Sequence, residues 1–166
     1  DGIQPRPLLE GGTGSLSIQQ QMPDFLPDRL EAGTHNMPGI AGLLAGVRYV
    51  RRRGTEKILD RERHLTQQAA EGLSQIPKLR VYAEPKMQNQ TGVLSLTAEN
   101  WDAEELGAAL AGRNIAVRAG IHCSPLAHRS GGTLGTGTVR VSVSDFNTPE
   151  EISRLVFAVR QILAQK

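Results

Sequence analysis

From Pro38 onward the apolar residues of the chain follow first a helical and then a strand periodicity. Ile40, Leu43, Leu44, Val47 and Val50 recur at helical spacing, which predicts a helix over about residues 38–53. Gly39, Gly42 and Gly46 along it would leave room for a neighbouring backbone. A second helix is expected after Thr55, which would cap it, with Ile58, Leu65, Ala69 and Leu73 facing inward until Pro77 ends it. Leu79, Val81 and Ala83 then alternate with Arg80, Tyr82 and Glu84, and a second strand is expected across GVLSLTAE, with EPKMQNQTG as the turn between them. Asp102 and Glu105 resemble a capping box for a third helix carrying Leu106 and Leu110. Ile115 and Val117 begin another strand, and Val139, Val141 and Val143 mark one more. Thr148-Pro149-Glu150-Glu151 is a capping box with proline at the first helical position, opening a helix with Ile152, Leu155, Val156, Val159, Ile162 and Leu163 on one face.

From residue 55 the order is therefore helix, two strands, helix, two strands, helix. This predicts an α/β fold in which a small, largely antiparallel sheet is covered by helices on one face. Residues 1–37 are rich in proline and glycine and show no sustained periodicity, so they read as connecting loops. Residues 38–54 form a connecting helix and residues 55–166 a small α/β domain.

Composition narrows the possible functions. A chain of 166 residues, 39% apolar, can bury one respectable core. Its 19 basic and 17 acidic side chains nearly balance and only 4% of residues are aromatic, so there is neither charge nor stacking surface to imply nucleic acid. No run approaches a membrane span and DGIQPRPLLE lacks the regions of a signal peptide, so a cytoplasmic setting is expected. The RRR run at 51–53 suits the negative end of its helix.

The one cysteine, Cys123, sits in RAGIHCSP ahead of the glycine-rich RSGGTLGTG. A lone cysteine is most often a small buried hydrophobe, but these small and turn-forming residues suit a mobile loop that displays a thiol. His122 and Arg118 beside it could favour the thiolate; direct action of His122 on Cys123 is not expected, because sequence neighbours in a strand point apart. Arg118 has the opposite parity to Ile115 and Val117, and Arg140 to the valines of its own strand. If the two strands are neighbours, two guanidiniums flank the loop, in a form suited to a carboxylate; solvated polar strand faces would show the same alternation. One cysteine with His35, His64, His122 and His128 at no recognised spacing predicts no metal site. Gly11-Gly-Thr-Gly-Ser15 is a weak anion-cradle motif. Glu31-Ala-Gly-Thr34, just ahead of a helix, is better placed for a phosphate.

Four segments in order resemble one family: GGTGS at 11–15, LPDRLEAGTHNMPGIAGLLAGV at 26–47, RAGIHCSPLAHR at 118–129 and GTVRVSVSDFNTPEEI at 137–152. Together they are similar to the C-terminal part of cysteine desulfurases and selenocysteine lyases of the class V aminotransferase group, which depend on pyridoxal phosphate. The resemblance implies conversion of L-cysteine to L-alanine with a persulfide on the enzyme. It makes Cys123 the thiol that attacks the substrate sulfur, Arg140 the grip on the substrate carboxylate and Arg118 a second active-site arginine. It also makes Gly33 and Thr34 the element that reaches the cofactor phosphate of the partner subunit in a homodimer, and admits a sulfur-acceptor protein as a partner. The lysine that holds the cofactor as a Schiff base in that family lies in an S-x-H-K-like segment, and Lys57, Lys78, Lys86 and Lys166 all lack this context. The chain is thus expected to be the tail of a large cofactor domain followed by the complete small domain, and to be inactive alone. Alternatives left open are an aminotransferase or selenocysteine lyase in which Cys123 is idle, and a free-standing binding or sulfur-carrier domain.

Overall fold

The computed structural model describes residue 2 and residues 5–165, and the chain divides into two compact units at Arg52/Arg53. Among its described residues, the N-terminal unit before residue 37 is irregular, interrupted by single 3-10 turns at Gly14–Leu16 and Asp28–Leu30. Helix α1, Met37–Arg53, follows. Asn36 caps it by accepting a hydrogen bond from the Gly39 amide at 3.0 Å. A Cβ at position 39 would fall 2.5 Å from the Asn36 amide nitrogen, so this glycine makes room for the cap and not for a neighbouring backbone. The apolar stripe is present but exposed, from 40% at Val50 to 68% at Leu43.

The C-terminal unit is built from α2 (Thr55–Ser74), β1 (Leu79–Tyr82), β2 (Val93–Ala98), α3 (Ala103–Ala111), β3 (Arg118–Gly120), α4 (Pro125–Gly131), β4 (Thr138–Ser142) and α5 (Pro149–Leu163). The four strands form one sheet in the order β1-β2-β4-β3, antiparallel at every pairing. Leu94 and Leu96 of β2 and Val139 and Val141 of β4 bury one face against Leu65 and Leu73 of α2, Leu106 and Leu110 of α3, and Leu155, Val159 and Ile162 of α5. Each such side chain, fully buried, contributes about 1.5–3 kcal/mol of transfer free energy. The expectation of an antiparallel sheet with helices over one face holds.

Local differences have physical reasons. Gly54, at φ +86°, takes the cap position of α2, and Thr55 becomes its first helical residue. Asp102 caps α3 through the amide of Glu104, at 2.7 Å. Thr148 and Glu151 form the expected capping box on α5, with Pro149 at the start of the helix. Ile115 and Val117 pack against the core, but β3 begins only at Arg118. The segment read as a loop from 119 to 137 holds helix α4, a seven-residue helix opened by Pro125 and closed by Gly132 at φ +70°.

Candidate functional site

The face of the sheet opposite the core carries a cross-strand row. In register, Tyr82 of β1 stands across from Ser95 of β2, Ser95 across from Arg140 of β4, and Arg140 across from Arg118 of β3. The strand alternation that buries Val139 and Val141 turns these four residues the other way. Like charges directly opposed in an antiparallel ladder repel, so Arg118 and Arg140 together form a place for an anion. The Arg140 Nε is buried and has no hydrogen-bond partner among the described residues, which leaves a guanidinium with donor capacity to spare.

Beyond β3 the chain turns sharply. Ser124 N–H donates to the Ile121 carbonyl at 3.0 Å, closing a β-turn whose central residues are His122 and Cys123. Both have positive φ, 54° and 57°, the sign pattern of a type I′ turn. For residues with a Cβ this backbone region is costly, of order 1–2 kcal/mol each. Cys123 therefore lies at a turn apex, with its thiol exposed. The two residues are not strand neighbours, and the His122 ring is directed elsewhere: its Nε2 lies 3.1 Å from the Thr138 carbonyl oxygen and 3.3 Å from the Thr138 hydroxyl.

The loop that carries this turn is tied at its base. A Cβ on Gly137, itself at φ +65°, would lie 2.9 Å from the Gly120 Cα, so only glycine lets the two ends meet. Gly137 N–H donates to the Thr133 carbonyl and Thr133 N–H to the His128 carbonyl, both at 2.8 Å. The buried His128 also places its Nδ1 2.8 Å from the Thr133 hydroxyl. Its ring and that of His122 are 5.9 Å apart and tilted. Burial is the main cause holding the His122 imidazole below its ordinary value of 6.5; Arg140, Arg118 and His128 push the same way, and the hydrogen bond to Thr138 opposes them. His122 is thus neutral at physiological pH.

A cleft of about 380 Å³ opens on this face, lined by Ser95, His122, Ser124, His128, Thr138 and Arg140 among others. Cys123 is set between two of its lining residues. A larger cleft, about 740 Å³, lies toward β1, beside Lys78, Arg80 and Trp101, and includes none of Cys123, Arg118 and Arg140.

Gly33 and Thr34 belong to the N-terminal unit. The Gly33 amide donates to the Gly12 carbonyl at 2.9 Å, so the GGTGS and EAGT loops lie against each other, and a Cβ on Gly12 would fall 2.8 Å from the Gly33 Cα. This commits the Gly33 N–H; both residues are exposed, and Thr34 has a hydroxyl to offer a phosphate. By their chemistry the Thr34 hydroxyl suits a phosphate and the Arg118 and Arg140 guanidiniums suit a carboxylate. For a covalent cofactor bond the chain offers less, since no lysine lines the Arg140 cleft among the described residues: Lys57 is on α2, Lys78 precedes β1 and Lys86 lies between β1 and β2. Lys166 lies outside the described residues.

Sequence reasoning expected Arg118 and Arg140 on neighbouring strands around the loop of Cys123; β3 and β4 pair with the two arginines in register, and Cys123 is in the turn that follows β3. It missed Ser95 and Tyr82, whose parity in their strands was a usable signal. It also missed the ties made by Thr138, His128 and Thr133, for which no local signal exists.

Among the described residues, no helix is long and apolar enough to cross a membrane. Comparison with known proteins adds the following. The family profile for aminotransferase class V matches residues 3–155. The chain is 42% identical over 159 residues to a cysteine desulfurase of Synechococcus elongatus, covering 94% of this chain and 25% of that protein. It superposes on the apo structure of a cysteine desulfurase from Thermococcus onnurineus with a TM-score of 0.78 at 31% identity, covering 96% of this chain and 40% of that one. A C-DES mutant with glycine covalently linked to its PLP cofactor shares the fold, with a TM-score of 0.65 at 20% identity over 93% of this chain and 37% of that one. The chain thus spans well under half the length of these relatives.

Proposed function

The chain belongs to the aminotransferase class-V family, and from that membership we propose that it supplies the nucleophile and the carboxylate grip of a cysteine desulfurase. The observation that carries this reading is the exposed Cys123, in the turn that follows the strand on which Arg118 opposes Arg140. Arg140 takes the carboxylate of L-cysteine in the bidentate manner suited to a guanidinium, and Arg118 offsets the remaining negative charge. The Cys123 thiolate attacks the substrate sulfur. An S–S bond forms, the substrate C–S bond breaks, and the electron pair left on carbon is protonated to give L-alanine. The protein retains the sulfur as a persulfide on Cys123, and its exposure there suits delivery to an acceptor protein.

Pyridoxal phosphate, when bound, supplies the electron sink this cleavage needs. Within this chain, Thr34 would contact its phosphate, with Gly33 fixing the loop, and in a homodimer this contact serves the partner subunit's site. No lysine lines the cleft among the described residues, so the 166 residues alone should not turn over cysteine.

The test is made on the protein as its gene encodes it. Incubation with L-cysteine should leave Cys123 heavier by one sulfur atom, removable by a thiol reductant, with alanine formed in step. Cys123→Ala should abolish both products. Sulfide and alanine production that survives this substitution would remove the thiol from the reaction.

A further inference from the structure

The sulfur-transfer reading assigns no work to His122, yet this residue is held under several constraints. It is in the left-handed backbone region, its ring is half-buried, and its Nδ1 is buried with no partner among the described residues. Stability alone would not select an unsatisfied buried acceptor beside a strained backbone, and such a group calls for an explanation.

We propose that His122 is the positioning residue of this site: its Nε2–H, bonded to the Thr138 carbonyl, pins the turn that carries Cys123 to the strand that carries Arg140. The purpose assigned to this pin rests on the sulfur-transfer reading, while its geometry stands independently of it.

Three observations carry the inference. First, a carbonyl oxygen can only accept, so the 3.1 Å contact with the Thr138 carbonyl is a hydrogen bond only when Nε2 carries a proton. The groups facing the ring are Arg140 from β4, Arg118 from β3 and His128 from α4. All of these disfavour a second proton, so the neutral tautomer persists. Second, the loop needs a pin. It leaves the sheet through Gly120 at φ +106° and returns through Gly137 at φ +65°, and glycines hold no conformation by themselves. Within it, two successive residues with side chains occupy a region they enter only at a cost. The turn's own bond from Ser124 N–H to Ile121, with the Ser124 hydroxyl on the His122 carbonyl at 3.2 Å, is exposed to competition from water. His122 adds a bond that reaches out of the turn. Third, its anchor is well chosen. Thr138 is 5% exposed, pairs with Gly120 across β3 and β4, and stands two residues before Arg140 on the same strand. The nucleophile and the carboxylate grip are thereby referenced to one rigid element, as in-line attack on a held substrate requires.

The experiment has two readouts that need no cofactor. In the 166-residue chain labelled with ¹⁵N-histidine, the His122 ring should show the neutral Nε2–H tautomer near neutral pH, with a slowly exchanging Nε2 proton. An Nδ1–H tautomer, a cationic ring or a freely exchanging Nε2 proton would overturn the proposal without any substitution. In His122→Ala, amide exchange at Ser124 should accelerate about fivefold or more, the scale of one net hydrogen bond, while Val139 stays unchanged. His122→Gln, whose amide nitrogen can occupy the Nε2 position, should restore most of the protection, and His122→Asn, one bond shorter, should not. Unchanged Ser124 exchange in His122→Ala, or equal behaviour of the Gln and Asn variants, would overturn the pin.

In the protein as its gene encodes it, His122→Ala should lower kcat by about 10–100-fold with KM for L-cysteine little altered, because Arg140 is untouched, and His122→Gln should recover part of the loss. A raised KM at constant kcat counts against a role in placing the thiol. If the unsubstituted protein forms no persulfide, the sulfur-transfer reading fails while the tautomer and exchange results still decide the pin.

Discussion

Arg118 and Arg140 face each other directly across the β3·β4 ladder, two guanidiniums at a register position where a sheet gains most from opposite charges or packed apolar pairs. No core requirement produces that arrangement, since the residues on either side of Arg140 in β4 already fill the core side. The pair costs stability until an anion enters.

A stability measurement on the isolated chain checks this. Arg118→Gln should raise the urea midpoint by an amount equivalent to about 0.2–1 kcal/mol in the absence of anions, the scale of one cross-strand pair. Adding a small carboxylate should stabilise the unsubstituted chain more than the variant. A variant less stable than the parent in anion-free buffer would show that the two arginines do not oppose each other.

Arg140→Lys should raise KM for L-cysteine in the protein as its gene encodes it, even though the charge is kept. A lysine ammonium cannot reproduce the two parallel bonds of a guanidinium to a carboxylate. Loss of one charged hydrogen bond at about 1.5–3 kcal/mol corresponds to roughly a 10- to 150-fold change in kcat/KM. Steady-state kinetics with an unchanged KM would move the carboxylate grip elsewhere.

At position 123, Gly should be more stable than Ala by about 1 kcal/mol, because φ near +57° is strained only for a residue with a Cβ. Both variants lack the thiol, so thermal melts of the pair isolate the backbone term from the chemistry. Equal melting temperatures would place the turn in another conformation in solution.

Gly137→Ala should be among the most damaging single-methyl additions in the chain, costing about 2 kcal/mol or more, since it combines positive φ with backbone only 2.9 Å away. Gly42→Ala is the internal control. It adds a methyl on α1 where nothing lies within 4 Å, and should be neutral or stabilising by up to about 1 kcal/mol. Urea unfolding of the two variants side by side gives the comparison.

The lowered proton affinity of His122 gives a pH dependence with a definite sign. The unfolded chain takes up the His122 proton near 6.5, while the folded chain does so only at lower pH. The unfolded state therefore binds more protons in that window, and stability must fall as pH drops through it. The contribution is full above about 6.5 and declines toward the lowered folded value. Denaturation curves from pH 8 to pH 5 should show this decline in the parent chain and a smaller one in His122→Gln. Identical pH profiles would mean that His122 titrates alike in both states.

Much of the architecture was legible because it follows from short-range periodicity. Leu94, Leu96, Val139 and Val141 alternate with polar residues, and a period of two admits only a sheet with one buried face. Thr148 and Glu151 make their reciprocal bonds within one turn of chain, so the start of α5 could be read directly. The same alternation assigned Arg118 and Arg140 to the open face.

What the linear pattern could not contain was the meeting of distant segments. Helix α4 has seven residues and glycines at its end, too little periodicity to register. Its place depends on the contacts among His128, Thr133 and Gly137. The contact of His122 with Thr138 spans sixteen residues and exists only because Gly120 and Gly137 allow the two ends of a loop to touch. Sequence alone thus determined which residues could do chemistry and which face of the sheet they occupy, because side-chain direction is a local property of the backbone. The tertiary structure alone decided that Cys123 stands at a strained turn tied to the strand of Arg140, because that depends on loop closure between residues the chain keeps apart.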